Sequence, residues 1–352
     1  MNVSAPQLAS DQKTIRVGVV DDSAVMRAMI RKTLEAAGGF AIVGEAGDPY
    51  EARAMIKATS PDVVTLDIEM PRMSGLEFLE KIMTLRPMPV IMVSTLTASG
   101  TDATIEALAR GAVDCVVKPG PEHQDSFASL PRKVRAAASA RLPSAPVKSA
   151  RTPLPKGRRY NRLIAIGAST GGVDALLRTV PLFPADAPPT VIVQHMPRAF
   201  TTSFAERLNA RSAVTVSEAK DGDVLKSGHV YLAPGSDSHL TITPGEQPRC
   251  RLVSSGSVSG HRPSVDVLFQ SLCKNAPRVV GCLLTGMGRD GADGLKALYD
   301  LGCPTVVQDE DTSVVFGMPR AAWQAGACEQ LTPIDAIAEA ILGHAAGRMV
   351  SS

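Results

Sequence analysis

Two groups of residues in this chain have types and spacings suited to chemistry. The first is Gly167-Ala168-Ser169-Thr170-Gly171, inside LIAIGASTGGVDALL. It fits G-x-S-x-G, with a strand-like run before it and a helix-like run after it. In that setting a tight turn lifts a serine hydroxyl above a sheet, and the following helix N-terminus favours developing negative charge. A Gly-rich phosphate loop and a plain helix cap share the pattern, so the motif alone leaves three readings open. The second group is acidic: Asp21 and Asp22 follow IRVGVV, and Asp67 follows DVVTL. Ser94 ends PVIMV and Lys118 ends DCVV. All are carboxyl ends of strand-like runs, where open α/β sheets form their crevice. Three acids at one edge repel unless a hard cation sits among them. Mg²⁺ suits that place, because it takes one or two carboxylates, waters and a phosphate oxygen. A hydroxyl and an ammonium then hold the other phosphate oxygens.

A serine nucleophile needs a base. The chain has six histidines: His123, His195, His229, His239, His261 and His344. His195 follows TVIVQ, one strand–helix–strand step from Ser169, so both side chains fall at the same sheet edge. His261, in SGHRPSV, is its one rival. The base needs an orienting acid. RVVGCLLTGMGRDGADGLKAL gives another strand, a Gly-rich turn and a helix opened by Asp290 and Asp293. Asp290 comes first after the strand and is the better placed. The turn Thr285-Gly286-Met287-Gly288 can expose backbone N–H groups to an oxyanion. The order Ser, His, Asp differs from the common hydrolase and protease orders. The residues alone lead to a serine hydrolase on a parallel sheet, and no further.

The elements that must position these groups are legible in the patterning. Residues 15–141 alternate short apolar runs with amphipathic helical stretches, the signature of a doubly wound parallel sheet. Residues 142–160, LPSAPVKSARTPLPKGRRY, hold four prolines and unpaired basic residues and read as a semi-extended linker. From 161 to 346 βα repetition resumes as a Rossmann-like α/β domain. Within it HVYLAPG and HLTITPG read as short antiparallel strands. Residues 1–14 and 347–352 read as tails; the first lacks the apolar core of a signal peptide.

Composition narrows the function classes. The 352 residues are 44% hydrophobic but only 4% aromatic, so the cores are aliphatic. The formal net charge of +2, from 37 basic and 35 acidic residues, gives no support for nucleic-acid binding, which usually needs a basic face. No apolar run approaches the ~20 residues of a membrane span, which predicts no membrane insertion and a cytoplasmic protein. Six scattered cysteines without a CxxC pair read as reduced, mostly buried thiols.

VVDDS, TLDIEMPRMSG, VSTLT and VVKPG resemble the motifs of two-component receiver domains. The resemblance implies a phosphoryl acceptor at Asp67 and Mg²⁺ held by Asp21, Asp22, Asp67 and the Glu69 backbone carbonyl. It also implies phosphate contacts from Ser94 and Lys118. One position departs: Cys115 stands where receivers usually carry a switching aromatic ring. IGASTGG, VQHMP, YLAPG, SGHRPSVDVLF, LLTGMGRDGADG and QDEDTSVVFGMP resemble the catalytic domain of the chemotaxis methylesterase family CheB. That resemblance implies Ser169 as nucleophile, His195 as base, Asp290 as orienting acid and Met287 N–H in the oxyanion hole, with no cofactor in this domain. The substrates it implies are γ-glutamyl methyl esters and certain glutamines of methyl-accepting chemotaxis receptors, with a chemotaxis histidine kinase as phosphodonor. The competing class is a non-catalytic response regulator whose second domain only binds a partner. Three chemistry-bearing residues at three strand ends favour the enzyme.

Overall fold

The structure is a computed structural model, and it describes residues 14–120, 126–142, 160–235 and 237–346. The expected tails at 1–13 and 347–352, most of the expected linker (143–159) and His123 lie outside the described residues.

The first sheet is built from β1 (Ile15–Val20), β2 (Phe40–Ala46), β3 (Val63–Asp67), β4 (Val90–Ser94) and β5 (Asp114–Val117). Its order is β2-β1-β3-β4-β5 and every pairing is parallel. Five helices connect and cover it: α1 (Ala24–Ala37), α2 (Pro49–Thr59), α3 (Gly75–Leu85), α4 (Ala98–Ala109) and α5 (Leu130–Ala138). β3 and β4 are buried at every position, as expected of central strands covered on both faces. Local signals set the helix starts. Ser23 caps α1, and Ser74 with Glu77 forms a reciprocal capping box on α3.

The second sheet has seven strands in the order β14-β13-β12-β6-β7-β9-β8, again all parallel. They are β6 (Leu163–Ala168), β7 (Thr190–Gln194), β8 (Thr215–Glu218), β9 (His229–Leu232), β12 (Val279–Leu283), β13 (Thr305–Gln308) and β14 (Leu331–Thr332). Its helices are α6 (Gly172–Thr179), α7 (Arg198–Arg211), α8 (Val265–Leu272), α9 (Ala292–Asp300), α10 (Met318–Gln324) and α11 (Ile334–Ala345). β10 (His239–Ile242) and β11 (Cys250–Val253) form a separate antiparallel pair.

This corrects one expectation. HLTI is antiparallel as read, but HVYL is β9 and joins the main sheet in parallel beside β7. Val230, Tyr231 and Leu232 are buried, and a strand buried that fully finds its place inside the sheet. The reading as an antiparallel strand rested on flanking turn residues, and turn chemistry does not say which neighbour a strand will join. All six cysteines are free; five are buried and Cys273 is half-buried.

The two sheets meet through the first unit's α4, β5 and α5. α4 packs against α6 and α7, and Glu106 on α4 pairs with Arg207 on α7. Arg141 donates its N–H to Val314 O at 3.0 Å and reaches Glu310 and Asp311 with its guanidinium.

Candidate active site

Ser169 stands directly after β6, the strand flanked by β12 and β7, so three consecutive carboxyl ends surround it. Its N–H donates to Thr285 O at 3.0 Å and its carbonyl accepts Gly172 N–H at 2.7 Å. Gly171 completes the turn with φ +77°, and a Cβ there would lie 2.5 Å from Val314 Cβ. Glycine is required there twice over, by conformation and by space. Gln194, the last residue of β7, donates its side-chain amide to Ser169 O at 2.8 Å and to His195 O at 3.1 Å. One side chain thus ties the serine turn to the histidine that follows the next strand.

His195 Nε2 lies 2.8 Å from Asp290 Oδ2. Asp290 is 1% exposed and is cradled by the start of α8. Ser264 Oγ donates to its Oδ1 at 2.7 Å, Val265 N–H to Oδ2 at 2.7 Å and Asp266 N–H to Oδ1 at 3.2 Å. Burial alone would raise the Asp290 pKa, but His195 and these donors favour the carboxylate and hold it below the ordinary range. Asp266 is raised, chiefly by burial and then by the neighbouring Asp290 charge. His239, fully buried, supports the cradle from behind: its Nδ1 accepts Ser264 N–H at 3.1 Å and its Nε2 donates to Gly256 O at 2.9 Å.

A carboxylate only accepts, so the His195 hydrogen sits on Nε2 and Nδ1 carries the lone pair. Nδ1 is buried without a hydrogen-bond partner among the described residues. Ser169 and His195 line one cavity of about 210 Å³ together with Thr170, His261 and Met287. The N–H groups of Thr170 and Met287 meet no acceptor among the described residues. The arrangement offers a hydroxyl, a free imidazole nitrogen backed by a buried carboxylate, and spare N–H donors. Those are the parts acyl transfer needs.

The rivals are placed elsewhere. Asp293 is exposed and pairs with Arg289 at 2.6 Å on the surface of α9. His261 lies beside His195: the two rings stack with centroids 3.7 Å apart and planes within 5°. Sequence reading missed Gln194, Ser264 and His239. Gln194 and Ser264 lie inside motifs that were noted, and Ser264 carries the signal of a serine just ahead of a helix. His239 had no such signal.

The first sheet brings its own group together. Asp21, Asp22 and Asp67 offer oxygens within 4.8 Å of one another. Lys118 Nζ lies 3.0 Å from Asp21 Oδ2 and 2.8 Å from Asp67 Oδ2. Burial, helped by Asp21, pushes the Asp67 carboxyl up to about 6 against the pull of Lys118. Ser94 is buried, and its single hydroxyl hydrogen has two carbonyl acceptors in reach, Thr95 O at 3.0 Å and Gly100 O at 3.2 Å.

The first unit also reaches the serine. Val113 O accepts Gly171 N–H at 3.2 Å, and Asp114 Oδ2 accepts the Thr170 hydroxyl at 2.7 Å. Lys133 Nζ holds the other Asp114 oxygen at 2.6 Å. Arg132 Nη1 sits 3.0 Å from His261 Nε2. Asp114, Ser129, Arg132 and Lys133 therefore wall the cavity that holds Ser169.

Residues 164–341 match the family described as CheB methylesterase, and residues 17–125 match the response regulator receiver domain. A protein-glutamate methylesterase/protein-glutamine glutaminase of Rhizobium etli is 53% identical over 337 residues, covering 95% of this chain and 97% of that one. A counterpart from Caulobacter vibrioides is 51% identical over 341 residues, covering 95% and 99%. The crystal structure of the Thermotoga maritima CheB methylesterase catalytic domain is 36% identical with a TM-score of 0.50. It covers 52% of this chain and 98% of that one.

Proposed function

The chain belongs to the CheB methylesterase family, and from that premise we propose that it hydrolyses γ-glutamyl methyl esters, and deamidates glutamines, on chemotaxis receptors in the cytoplasm. The observation that carries the catalytic reading is His195 bound through Nε2 to Asp290, its Nδ1 without a hydrogen-bond partner among the described residues, in the wall of the cavity that Ser169 also lines. His195 Nδ1 takes the proton as Ser169 Oγ attacks the γ-carbonyl. Asp290 stays ionised and stabilises the imidazolium. The oxyanion lies against the N–H of Met287, with Thr170 N–H as a second donor. Methanol leaves with the proton from His195, and water then releases the acyl group.

We assign residues 15–141 to the receiver, 142–160 to the linker and 161–346 to the catalytic unit. A divalent cation fits the receiver: three carboxylates meet one ammonium, an excess of negative charge that a hard cation neutralises. Asp21, Asp22, Asp67 and the Glu69 carbonyl would hold Mg²⁺, which supplies charge neutralisation for the incoming phosphoryl group. Asp67 accepts that group from a chemotaxis histidine kinase. Lys118 contacts it, and Ser94 reaches it by turning its hydroxyl from Gly100 O. Unphosphorylated, the receiver walls the Ser169 cavity and keeps a bulky receptor helix out.

The test of the chemistry is methanol release from methylated receptor membranes. Ser169→Ala should cost at least ~10³-fold with the fold retained, as in triads generally. More than a tenth of the activity remaining would remove Ser169 from the reaction.

A further inference from the structure

His261 is half-buried beside the reacting groups and has no part in the proton relay. Its position is built. His261 closes a tight turn on Val258, with Val258 N–H to His261 O at 3.0 Å and His261 N–H to Val258 O at 2.9 Å. Ser259 and Gly260 fill that turn with φ of +53° and +76°, the left-handed pair of a type I′ hairpin. Arg262 anchors the same loop to Ser255 O at 2.9 Å and to Asp237 at 2.5 Å. The ring is then fixed by its stack on His195.

The partner of its Nε2 indicates what the ring can bind. Arg132 only donates, so at 3.0 Å His261 Nε2 is an acceptor and the ring is neutral. Burial pushes its pKa down to about 3, with the positive charge of its neighbours adding to the effect. Removing the receiver leaves an acceptor nitrogen in the cavity of Ser169, with its N–H partner gone.

We propose that His261 is a specificity residue for the amide substrate: its Nε2 accepts one N–H of the scissile carboxamide, in the place that Arg132 fills in the closed form. This rests on the esterase–glutaminase reading above. In deamidation the Ser169 Oγ–C bond forms while its proton passes to His195. The C–N bond then breaks, and the departing NH₂ takes that proton and leaves as ammonia. Water hydrolyses the acyl serine. The amine of the tetrahedral intermediate must aim its lone pair at His195. An acceptor for one of its N–H groups fixes rotation about the C–N bond and so fixes that aim. A methoxy group has no N–H and gains nothing from the acceptor. One hydrogen bond made by the amide and not by the ester favours the amide by about tenfold.

The experiment uses the full chain with a small phosphodonor and Mg²⁺. It reads ammonia release from receptor membranes bearing glutamines and methanol release from methylated ones. His261→Phe keeps a flat ring without the acceptor, and the ammonia-to-methanol ratio should fall about tenfold or more. His261→Gln restores an acceptor without the ring, and the ratio should stay within about threefold of wild type. An unchanged ratio in His261→Phe, whether both rates fall together or neither moves, overturns the proposal. So does a His261→Gln ratio as low as that of His261→Phe. Ser169→Ala run alongside separates the two readings: loss of both products upholds the parent chemistry, and survival of either refutes that instead.

Discussion

At the scale of single residues, the site is a set of hydrogen-bond directions. Asp290 receives three donors from the start of α8 and a fourth from His195, which leaves it no reason to take a proton. Asp293, three residues on, pairs with a surface arginine among the described residues. His261 is held neutral by burial, and the sign of the resulting pH effect follows. The unfolded chain protonates this ring below its ordinary value of 6.5, while the fold resists until about 3. The unfolded state therefore binds more protons across that window, and stability rises with pH there, by up to about 1.4 kcal/mol per unit. Asp290 acts in the same direction at lower pH: its contribution is present above the ordinary carboxylate value and is lost as pH falls through its depressed one. In urea unfolding between pH 4.5 and 7.5, His261→Phe should flatten the dependence by about one proton. Parallel curves would mean that His261 titrates normally in the fold.

At the scale of elements, β5 and α4 decide how the receiver grips its partner. The start of β5 lies on the serine turn, with Val113 O on Gly171 and Asp114 on Thr170. Cys115, the next residue, is 2% exposed and lines a small cavity of about 20 Å³ with Ser169, Gly171 and His195. Cys115 also lines a larger cavity of about 1110 Å³ with Leu96, Pro197 and Arg198, at the seam between the two units. On α4, Glu106 meets Arg207 of α7 and also Arg110 at 2.7 Å. A partly exposed pair of this kind contributes about 0.5–1 kcal/mol. Arg207→Glu should accordingly raise methanol release two- to fivefold without phosphodonor. Adding Glu106→Arg should bring it part of the way back, limited by the nearby Arg110. No rise in Arg207→Glu would place the restraint elsewhere on the interface.

At the scale of the whole molecule, the receiver covers the chemistry it regulates. Holding 90–99% of molecules closed takes only about 1.4–2.7 kcal/mol of preference. The latch at Thr170 and Gly171, the Arg132–His261 contact and the α4–α7 packing supply contacts of that order. On the proposed reading, phosphorylation of Asp67 would add about two negative charges beside Lys118 and so shift the covering face. A fragment beginning near Arg158 should be active without phosphodonor. The intact chain should be weakly active and rise with a small phosphodonor and Mg²⁺. Asp67→Asn should stay low throughout. A fragment no more active than the unphosphorylated chain would exclude restraint by covering.

Strand and turn patterning along the chain was enough to tell which residues reach a sheet edge. Parallel strands put their carboxyl ends on one side, so Asp21, Asp67, Ser94 and Lys118 were legible as one group and Ser169, His195 and Asp290 as another. That is a local property of strand–turn–helix chemistry, repeated along the chain. Strand-end position already favoured Asp290 over Asp293 and His195 over His261; the tertiary structure adds which carboxylate oxygen meets which ring nitrogen. It alone moved HVYL into the main sheet. It alone set Asp114 on Thr170, 56 residues away in sequence, and Arg132 on His261, 129 away. Contacts that distant arise from how two finished surfaces pack, and no periodicity or spacing within either unit carries that information.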